Sequence, residues 1–390
     1  MKILHLPYTV GGNPQGLSRH LNLLGVQSET WTLYQNYLAF NANKVIFNEK
    51  DRVFVRELKR LWALRYIFLF DVIFFNFGTS LYEPFTIPEE PQRSHIFKIG
   101  MKIYQSYVFF MQKVELALLR IFNKIVFIQY QGDDARQGDY CQKHFSISIA
   151  HETGSDYYTP ESDETTRQRI KRFDELADLI YAVNPDLLWV LPKRARFVPY
   201  AHLDITDWLP VSKETPSAPV VLHAPSHRGA KGTRYIVEAI NRLKSEGIPL
   251  EFILVEDISN AEARKLYERA DLVVDQLLVG WYGGFAVEAM ALGKPTICYL
   301  RQSDFVFLPE QMRSDLPLIV ATPADIYAVL HEWLVHRREE LQMRGAISRR
   351  YVERWHDPLR IASELKADYE RIASGKRERG GVPADPAASN

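Results

Sequence analysis

Residues 71–78 read Asp-Val-Ile-Phe-Phe-Asn-Phe-Gly, and residues 124–130 read Lys-Ile-Val-Phe-Ile-Gln-Tyr. Both carry apolar side chains at consecutive positions, where a strand with one wet face would alternate. Strands buried on both faces belong to a parallel sheet covered by helices on each side. The start of the chain fits the same architecture. Lys2 to Pro7 is a short buried strand, the loop Thr9-Val10-Gly11-Gly12-Asn13-Pro14-Gln15-Gly16 follows, and a helical pattern begins at Leu17. Strand, glycine-rich loop and helix form the opening unit of a doubly wound α/β sheet. Further short strands are predicted at 178–183 and 195–199.

A chain of 390 residues is too long for one small core and fits two domains. Between Asp204 and Pro219 the pattern breaks into Asp, Pro, Ser, Lys and Thr, as an interdomain linker does. A second α/β series follows, with strands predicted at 220–223, 250–255, 272–275 and 295–299 and helices at 232–245, 261–270 and 285–292. Helices then run from Pro323 to about Lys366, broken at Asp357-Pro358. The predicted organisation is a first domain over 1–203, a linker over 204–219 and a second domain over 220–355. A helix over 356–374 returns to the first domain, and a tail over 375–390, rich in Gly, Pro, Ala and charge, is expected to be disordered.

Several function classes are disfavoured. Lys plus Arg and Asp plus Glu each number 48, so no bulk basic field draws nucleic acid, and no nucleic-acid partner is expected. Cys141 and Cys298 make neither a disulfide framework nor a metal-ligand spacing, which points to a reducing compartment. Met1 to Pro7 is apolar for too few residues to be a signal peptide, and Arg65 and Asp71 interrupt the run from Leu61 to Phe77 that comes nearest to a membrane span. The expected location is the cytoplasm, with contact at the inner face of the membrane. Two segments carry that expectation. Between Asp51 and Arg65, and between Arg93 and Lys124, basic residues interleave with large apolar ones, as in helices that lie on anionic membranes or, equally, in helices packed on a sheet with solvated lysines. His331 and His336 stand five apart, a spacing that puts them on different faces of an α-helix and not in a zinc pair.

The richest segment is Gly280-Trp-Tyr-Gly-Gly-Phe-Ala-Val-Glu288-Ala-Met-Ala-Leu-Gly-Lys-Pro295. Two glycines precede a short apolar helix, and helix N-terminal amides bind phosphate or sugar oxygens where glycine permits close approach. Glu288 is either a ligand for ribose hydroxyls or a surface acid on an amphipathic helix. The second segment, His223 to Thr233, follows a strand and opens a helix. It places Arg228 and Lys231 where a diphosphate could lie, or else forms a solvated basic loop. It is not a P-loop.

Together these segments resemble the donor-binding half of retaining family 4 glycosyltransferases, whose GT-B fold is two facing Rossmann-like domains with a cleft between them. That family carries an Arg and a Lys-Gly after the first strand of its second domain, and a Glu-x7-Glu motif around a Gly-Phe-Gly turn before Glu-Ala-Met-Ala-x-Gly-Lys-Pro. By resemblance Lys231 is the diphosphate-binding lysine, Glu288 the second glutamate on the donor ribose, and Tyr282-Gly283-Gly284 the turn beside the transferred sugar. Pro199 to Asp204 resembles the Pro-x-Gly-x-Asp that closes the first domain. The likeness is strongest from about 220 to 300.

Three positions depart from the family. Gly280 stands where the first glutamate belongs, Ser226 lies near the family arginine with Arg228 as its nearest substitute, and Gln131 takes the histidine place of a His-Gly-x-Asp loop. The resemblance implies transfer of a sugar from a nucleotide-sugar donor to a glycan or lipid-linked saccharide acceptor, with retention. No metal is expected and no cofactor, the nucleotide sugar being a substrate. Lys231, Glu288 and Asp134 are the candidate catalytic residues. Gly12, Ser226, His227, Arg228, Lys231, Tyr282, Gly283, Gly284 and Glu288 are the candidate donor contacts. Gly11, Asn13, Gln131, Asp133 and Arg136 are the candidate acceptor contacts, although the Asp133-Asp134 pair could merely cap a helix. A nucleotide-sugar epimerase and a catalytically silent binding protein with this fold remain the alternatives.

Overall fold

The computed structural model describes residues 1–35, 40–83, 95–154, 156–211 and 216–380. Two all-parallel sheets organise the chain. The first comprises β1 (Lys2–Leu6), β2 (Gln27–Thr32), β3 (Lys44–Val45), β4 (Val72–Asn76), β5 (Ile125–Tyr130), β6 (Leu179–Ala182) and β7 (Arg196–Phe197), in the order β3-β2-β1-β4-β5-β6-β7. The second comprises β8 (Val220–His223), β9 (Glu251–Leu254), β10 (Leu272–Val274), β11 (Thr296–Cys298) and β12 (Ile319–Val320), in the order β12-β11-β10-β8-β9.

The consecutive apolar side chains divide between two faces, as the pleat requires. Ile3, Val72, Phe74 and Phe127 pack against Leu17 and Leu21 of the helix Asn13–Leu23 and against Ile361, Leu365 and Tyr369 of the last helix, Pro358–Gly380. Tyr369 stacks on Phe127 with ring centroids 4.4 Å apart. Leu4, Ile73, Phe75 and Ile128 face the other way, onto the helices Val53–Ile67, His95–Ile121 and Pro160–Asp174. In the second sheet Val221, Leu272 and Val274 meet the helices Thr233–Ser245 and Ile326–His331, while Leu222 and Val273 meet Gly284–Ala291 and Leu341–Trp355. The last helix thus completes the core of the first sheet.

Sequence pattern and structure part at four places. β2 was not predicted because Gln27-Ser-Glu-Thr-Trp-Thr32 has no apolar run. Its inward Ser28, Thr30 and Thr32 are nevertheless buried, and Asn43 Oδ1 accepts both the Thr30 backbone N–H (2.8 Å) and its hydroxyl (3.0 Å). β3 and β12 are two-residue strands, too short to leave a pattern. Residues 375–380, expected to be disordered, continue the last helix, and 381–390 lie outside the described residues. His331 and His336, expected on different faces, have ring centroids 5.4 Å apart. The segment Glu332–His336 is a single π-turn whose Arg337 N–H reaches Glu332 O (2.9 Å), and five residues per closure bring an i, i+5 pair together.

The two sheets are tied together away from the chain crossings. Arg301, next to β11, donates from Nη2 to the Ile147 carbonyl (3.0 Å), lies 3.7 Å from the Phe145 ring centroid and pairs with Asp304 (2.9 Å). Asp304 in turn accepts the Trp189 indole N–H (2.9 Å). Gly280 is the residue that makes room for this. Its φ is +94°, and a Cβ there would lie 2.6 Å from Arg301 Nη1 and 2.9 Å from Arg301 Cβ. A swing of the guanidinium relieves only the first clash, so the glutamate of the family motif has no space here.

His5, His223 and His356 are at most 1 % exposed, and burial pushes them down to about 3, about 4 and about 3. Each stays neutral when folded and takes up a proton on unfolding below its ordinary value near 6.5. The stability this contributes is full above 6.5 and is lost as pH falls, by up to about 1.4 kcal/mol per pH unit for each ring. Burial raises Glu115 to about 7 and Asp134 to about 6, which acts in the opposite sense over the same range. The histidine share is therefore read from a variant. Urea unfolding at pH 7 and pH 5 should show His5→Leu gaining about 2 kcal/mol on the parent at the lower pH; an equal gain at both pH values would contradict this assignment. At the latch, Gly280→Ala should lower the unfolding free energy by about 1–3 kcal/mol. A variant as stable as the parent would mean that position 280 is unconstrained.

Candidate active site

A cleft of about 710 Å³ opens between the carboxyl ends of the strands of the two sheets, where open α/β folds place their ligands. Its second-domain wall is made by the loop after β8 and by the turn before the helix Gly284–Ala291. Gly11, Gln131, Asp133 and Arg136 line its first-domain wall.

Lys231 ends the short helix Arg228–Lys231. Its Nζ lies 3.4 Å from Asp275 Oδ1 and donates to Gln276 Oε1. Asp275, just beyond β10, is fully buried, and its other oxygen accepts the Gly283 N–H at 2.7 Å. One carboxylate therefore holds both the lysine and the glycine turn. A Cβ on Gly283 would sit 3.2 Å from Lys231 Nζ, so ammonium and turn meet. Behind them His223 joins the scaffold: its Nδ1 lies 2.8 Å from Val274 O and its Nε2 2.9 Å from Thr233 Oγ1. Because a carbonyl only accepts, Nδ1 carries the proton and the neutral ring accepts the threonine hydroxyl at Nε2.

One turn into the helix Gly284–Ala291, Glu288 reaches the cleft among Asn260 and His202. Asn260 Nδ2 donates to Glu288 Oε1 (3.0 Å), and His202 Nε2 lies 3.4 Å from the same oxygen. Asn260 is placed by the capping box of the helix Asn260–Arg269, in which Ser259 and Glu262 exchange side-chain and backbone bonds. The His202 side chain is 2 % exposed, yet neither ring nitrogen makes a hydrogen bond. Asp275, Gln276, Asn260 and His202 escaped the sequence reading. His202 lies in the Pro199–Asp204 motif, and Asp275 ends an apolar strand, so both positions were open to inference.

On the first-domain wall Asp133 accepts from Arg136 (2.7 Å), the Tyr158 hydroxyl (2.6 Å) and the Tyr157 hydroxyl (2.6 Å). Loss of water opposes its ionisation, but the Arg136 charge and the two hydroxyls outweigh this and hold the carboxyl below its ordinary value. Arg136 also donates to buried Asp186 (2.8 Å). The His227 Nδ1 accepts the Ala230 N–H (3.1 Å), and the ring lies 5.2 Å from that of Tyr157 across the cleft.

Gly11, Gln131, Asp133, Arg136, Ser226, His227, Lys231, Gly283, Gly284 and Glu288 all line this one space. Five predicted residues do not. Arg228 turns outward, 64 % exposed, and its Nε and Nη2 grip Glu256. Tyr282 is buried, bonded to Tyr351 Oη (2.8 Å) and His356 Nε2 (2.8 Å). Gly12, at φ +72°, lies beneath Phe40, whose ring would be 2.7 Å from a Cβ there. The buried Asn13 braces Ala201 N (2.7 Å) and Gln129 Oε1 (2.9 Å). Asp134 is 1 % exposed and accepts the backbone N–H groups of Gln131 (3.0 Å) and Gly132 (2.6 Å), so it shapes the loop from inside.

No known protein family's profile matches the sequence, and no curated protein matches it. Solved structures do share its fold. Sucrose-phosphate synthase of Thermosynechococcus elongatus is 15 % identical, over 96 % of this chain and 99 % of that one, with a TM-score of 0.57. HepE of Anabaena, solved in complex with UDP-glucose, is 10 % identical over 95 % and 100 %, with a TM-score of 0.58. A protein assigned as UDP-N-acetylglucosamine 2-epimerase of Listeria monocytogenes is 10 % identical over 95 % and 97 %, with a TM-score of 0.50. At such identities the likeness concerns architecture, and the architecture is GT-B: two Rossmann-like domains of seven and five parallel strands.

Proposed function

We propose that this chain is a glycosyltransferase that moves a sugar from a nucleotide-sugar donor to a glycan or lipid-linked saccharide acceptor, with retention and without a metal. The observation that carries the reading is the convergence of Lys231, the Gly283–Gly284 turn and Glu288 on one wall of the interdomain cleft. At the start of the helix Gly284–Ala291 the amides of Ala286 (3.1 Å) and Val287 (3.3 Å) turn back to Gly283 O, and those of Gly284 and Phe285 have no acceptor within the helix. With the Lys231 ammonium they form a diphosphate site whose charge is fixed in advance, the main electrostatic need when a nucleotide departs. Glu288, steadied by Asn260, accepts from ribose hydroxyls.

Arg228 takes no part, since its guanidinium is held by Glu256. Asp133 makes a poor general base, because its charge is already shared by Arg136 and two tyrosine hydroxyls. The departing phosphate is then the group best placed to take the acceptor's proton, with attack on the face the nucleotide leaves. The acceptor class follows the family resemblance.

A thermal-shift screen of UDP-, GDP-, ADP- and dTDP-sugars should give a rise in melting temperature with one base class. Lys231→Ala and Glu288→Ala should each weaken binding of that donor by about 10–100-fold, the range expected for a lost charge-assisted hydrogen bond of about 1.5–3 kcal/mol. Variants that bind and turn over like the parent would refute the site. Consumption of the donor with no acceptor present would assign an acceptor-independent reaction such as epimerisation, and binding without turnover against any acceptor pool would assign a silent binding protein.

A further inference from the structure

Two helices of the first domain bury one apolar face on the sheet and turn a second apolar face to solvent. In Val53–Ile67 the apolar Phe54, Leu58 and Leu61, spaced four and three apart on one face, are 72 %, 51 % and 44 % exposed. The charged Glu57 and Arg60 side chains of the same helix are each 12 % exposed, paired at 2.8 Å, and joined to the Tyr104 hydroxyl of the next helix. Lys59 likewise turns to Asp51 (2.6 Å). In His95–Ile121 the outward stripe is Ile96, Ile99, Ile103 and Phe110, 82 %, 57 %, 66 % and 61 % exposed, while Gln112 and Glu115 are buried.

Isolated exposed apolar residues need no explanation, but two helical stripes of them on helices that touch mark a surface made to be covered. Its charge says by what. Beside the inward pairs Arg60–Glu57 and Lys59–Asp51, residues 52–69 carry Arg52, Arg56 and Arg65, and residues 95–114 contain Lys98, Lys102 and Lys113 with no Asp or Glu. Lys98 and Lys102 are exposed beside Ile99 and Ile103, and Arg65 follows Leu61 by one turn. Apolar stripes rimmed by cations and free of acids complement an anionic lipid surface. No helix among the described residues is long and apolar enough to cross a membrane. The fit is to a helix pair lying in the headgroup layer.

We infer that this face seats the first domain on an anionic bilayer, with Phe54, Leu58, Ile99 and Ile103 entering the interface and Arg65, Lys98 and Lys102 against the lipid phosphates. The seat adjoins the acceptor side of the cleft. Arg56 donates to the Tyr34 hydroxyl (3.0 Å), and the neighbouring Gln35 donates to the carbonyl of Phe40 (3.0 Å), a cleft-lining residue. The inference does not depend on the transferase reading, since binding to lipid is measured without any nucleotide sugar.

The test is cosedimentation of the full chain with phosphatidylcholine vesicles with and without phosphatidylglycerol, at low and high salt. Binding is expected to need the anionic lipid, to fall with salt, and to weaken about tenfold or more in Phe54→Ser/Ile103→Ser. Lys98→Glu/Lys102→Glu, which touches no apolar contact, should weaken it comparably. Circular-dichroism melts establish that both variants fold. Absence of vesicle binding would overturn the inference, as would binding that neither pair of substitutions changes. A dimer in light scattering that Phe54→Ser/Ile103→Ser disperses would overturn it too, by putting a second copy on the face.

Discussion

A carboxylate with no exposed surface must be compensated by the groups around it, or burying its charge would be prohibitive. Asp275 is such a group, and its compensation shapes the cleft. One oxygen takes the Gly283 N–H and the other faces the Lys231 ammonium. Gly283 of the turn and Lys231 stand 52 residues apart in sequence, yet both are referred to one point at the end of β10. The price is that part of the lysine's charge is already matched. What positive potential remains on this wall comes largely from the amides of Gly284 and Phe285 at the start of the helix Gly284–Ala291, which carry no counter-ion of their own.

The walls of the cleft are joined by a second polar device at the chain crossings. His356, neutral because it is buried, donates from Nδ1 to the Tyr200 carbonyl (2.9 Å) and so accepts the Tyr282 hydroxyl at Nε2. The hydroxyl of Tyr200 reaches Asn184 (2.9 Å), whose amide donates to Gln131 O (2.5 Å). A line of hydrogen bonds thus runs from the glycine turn of one wall to the loop of the other. Tyr282, read from sequence as a neighbour of the sugar, belongs to this brace.

The fold was legible because burial leaves a pattern: Val72–Asn76 and Ile125–Tyr130 are apolar on both pleat faces and read as central parallel strands. β2 was illegible for the converse reason, its inward threonines being satisfied by Asn43 and not by apolar contact. In the cleft, glycines and a lysine after strand ends were legible because loops at carboxyl ends of parallel strands share one rim. The direction of a loop side chain was not. Arg228 and Lys231 are three residues apart on one turn, and Glu256, contributed by the segment after β9, decides that the arginine leaves. Asp133 and Asp134 are adjacent, and only one points outward. Gly280 was legible as a departure from the family motif the segment resembles, whereas its cause, the Arg301 side chain, lies across a strand.

The helix Pro358–Gly380 has its own consequence for how the chain is assembled. The face of the first sheet that carries Phe127 and Tyr181 is finished by Leu365 and Tyr369, residues made after every strand of the second sheet. On the ribosome the first half must wait, with an aromatic surface bare, until the second half has been synthesised. A cut after residue 203 would leave that surface permanently uncovered. The two halves of this molecule are two bodies in space but not two independent stretches of chain.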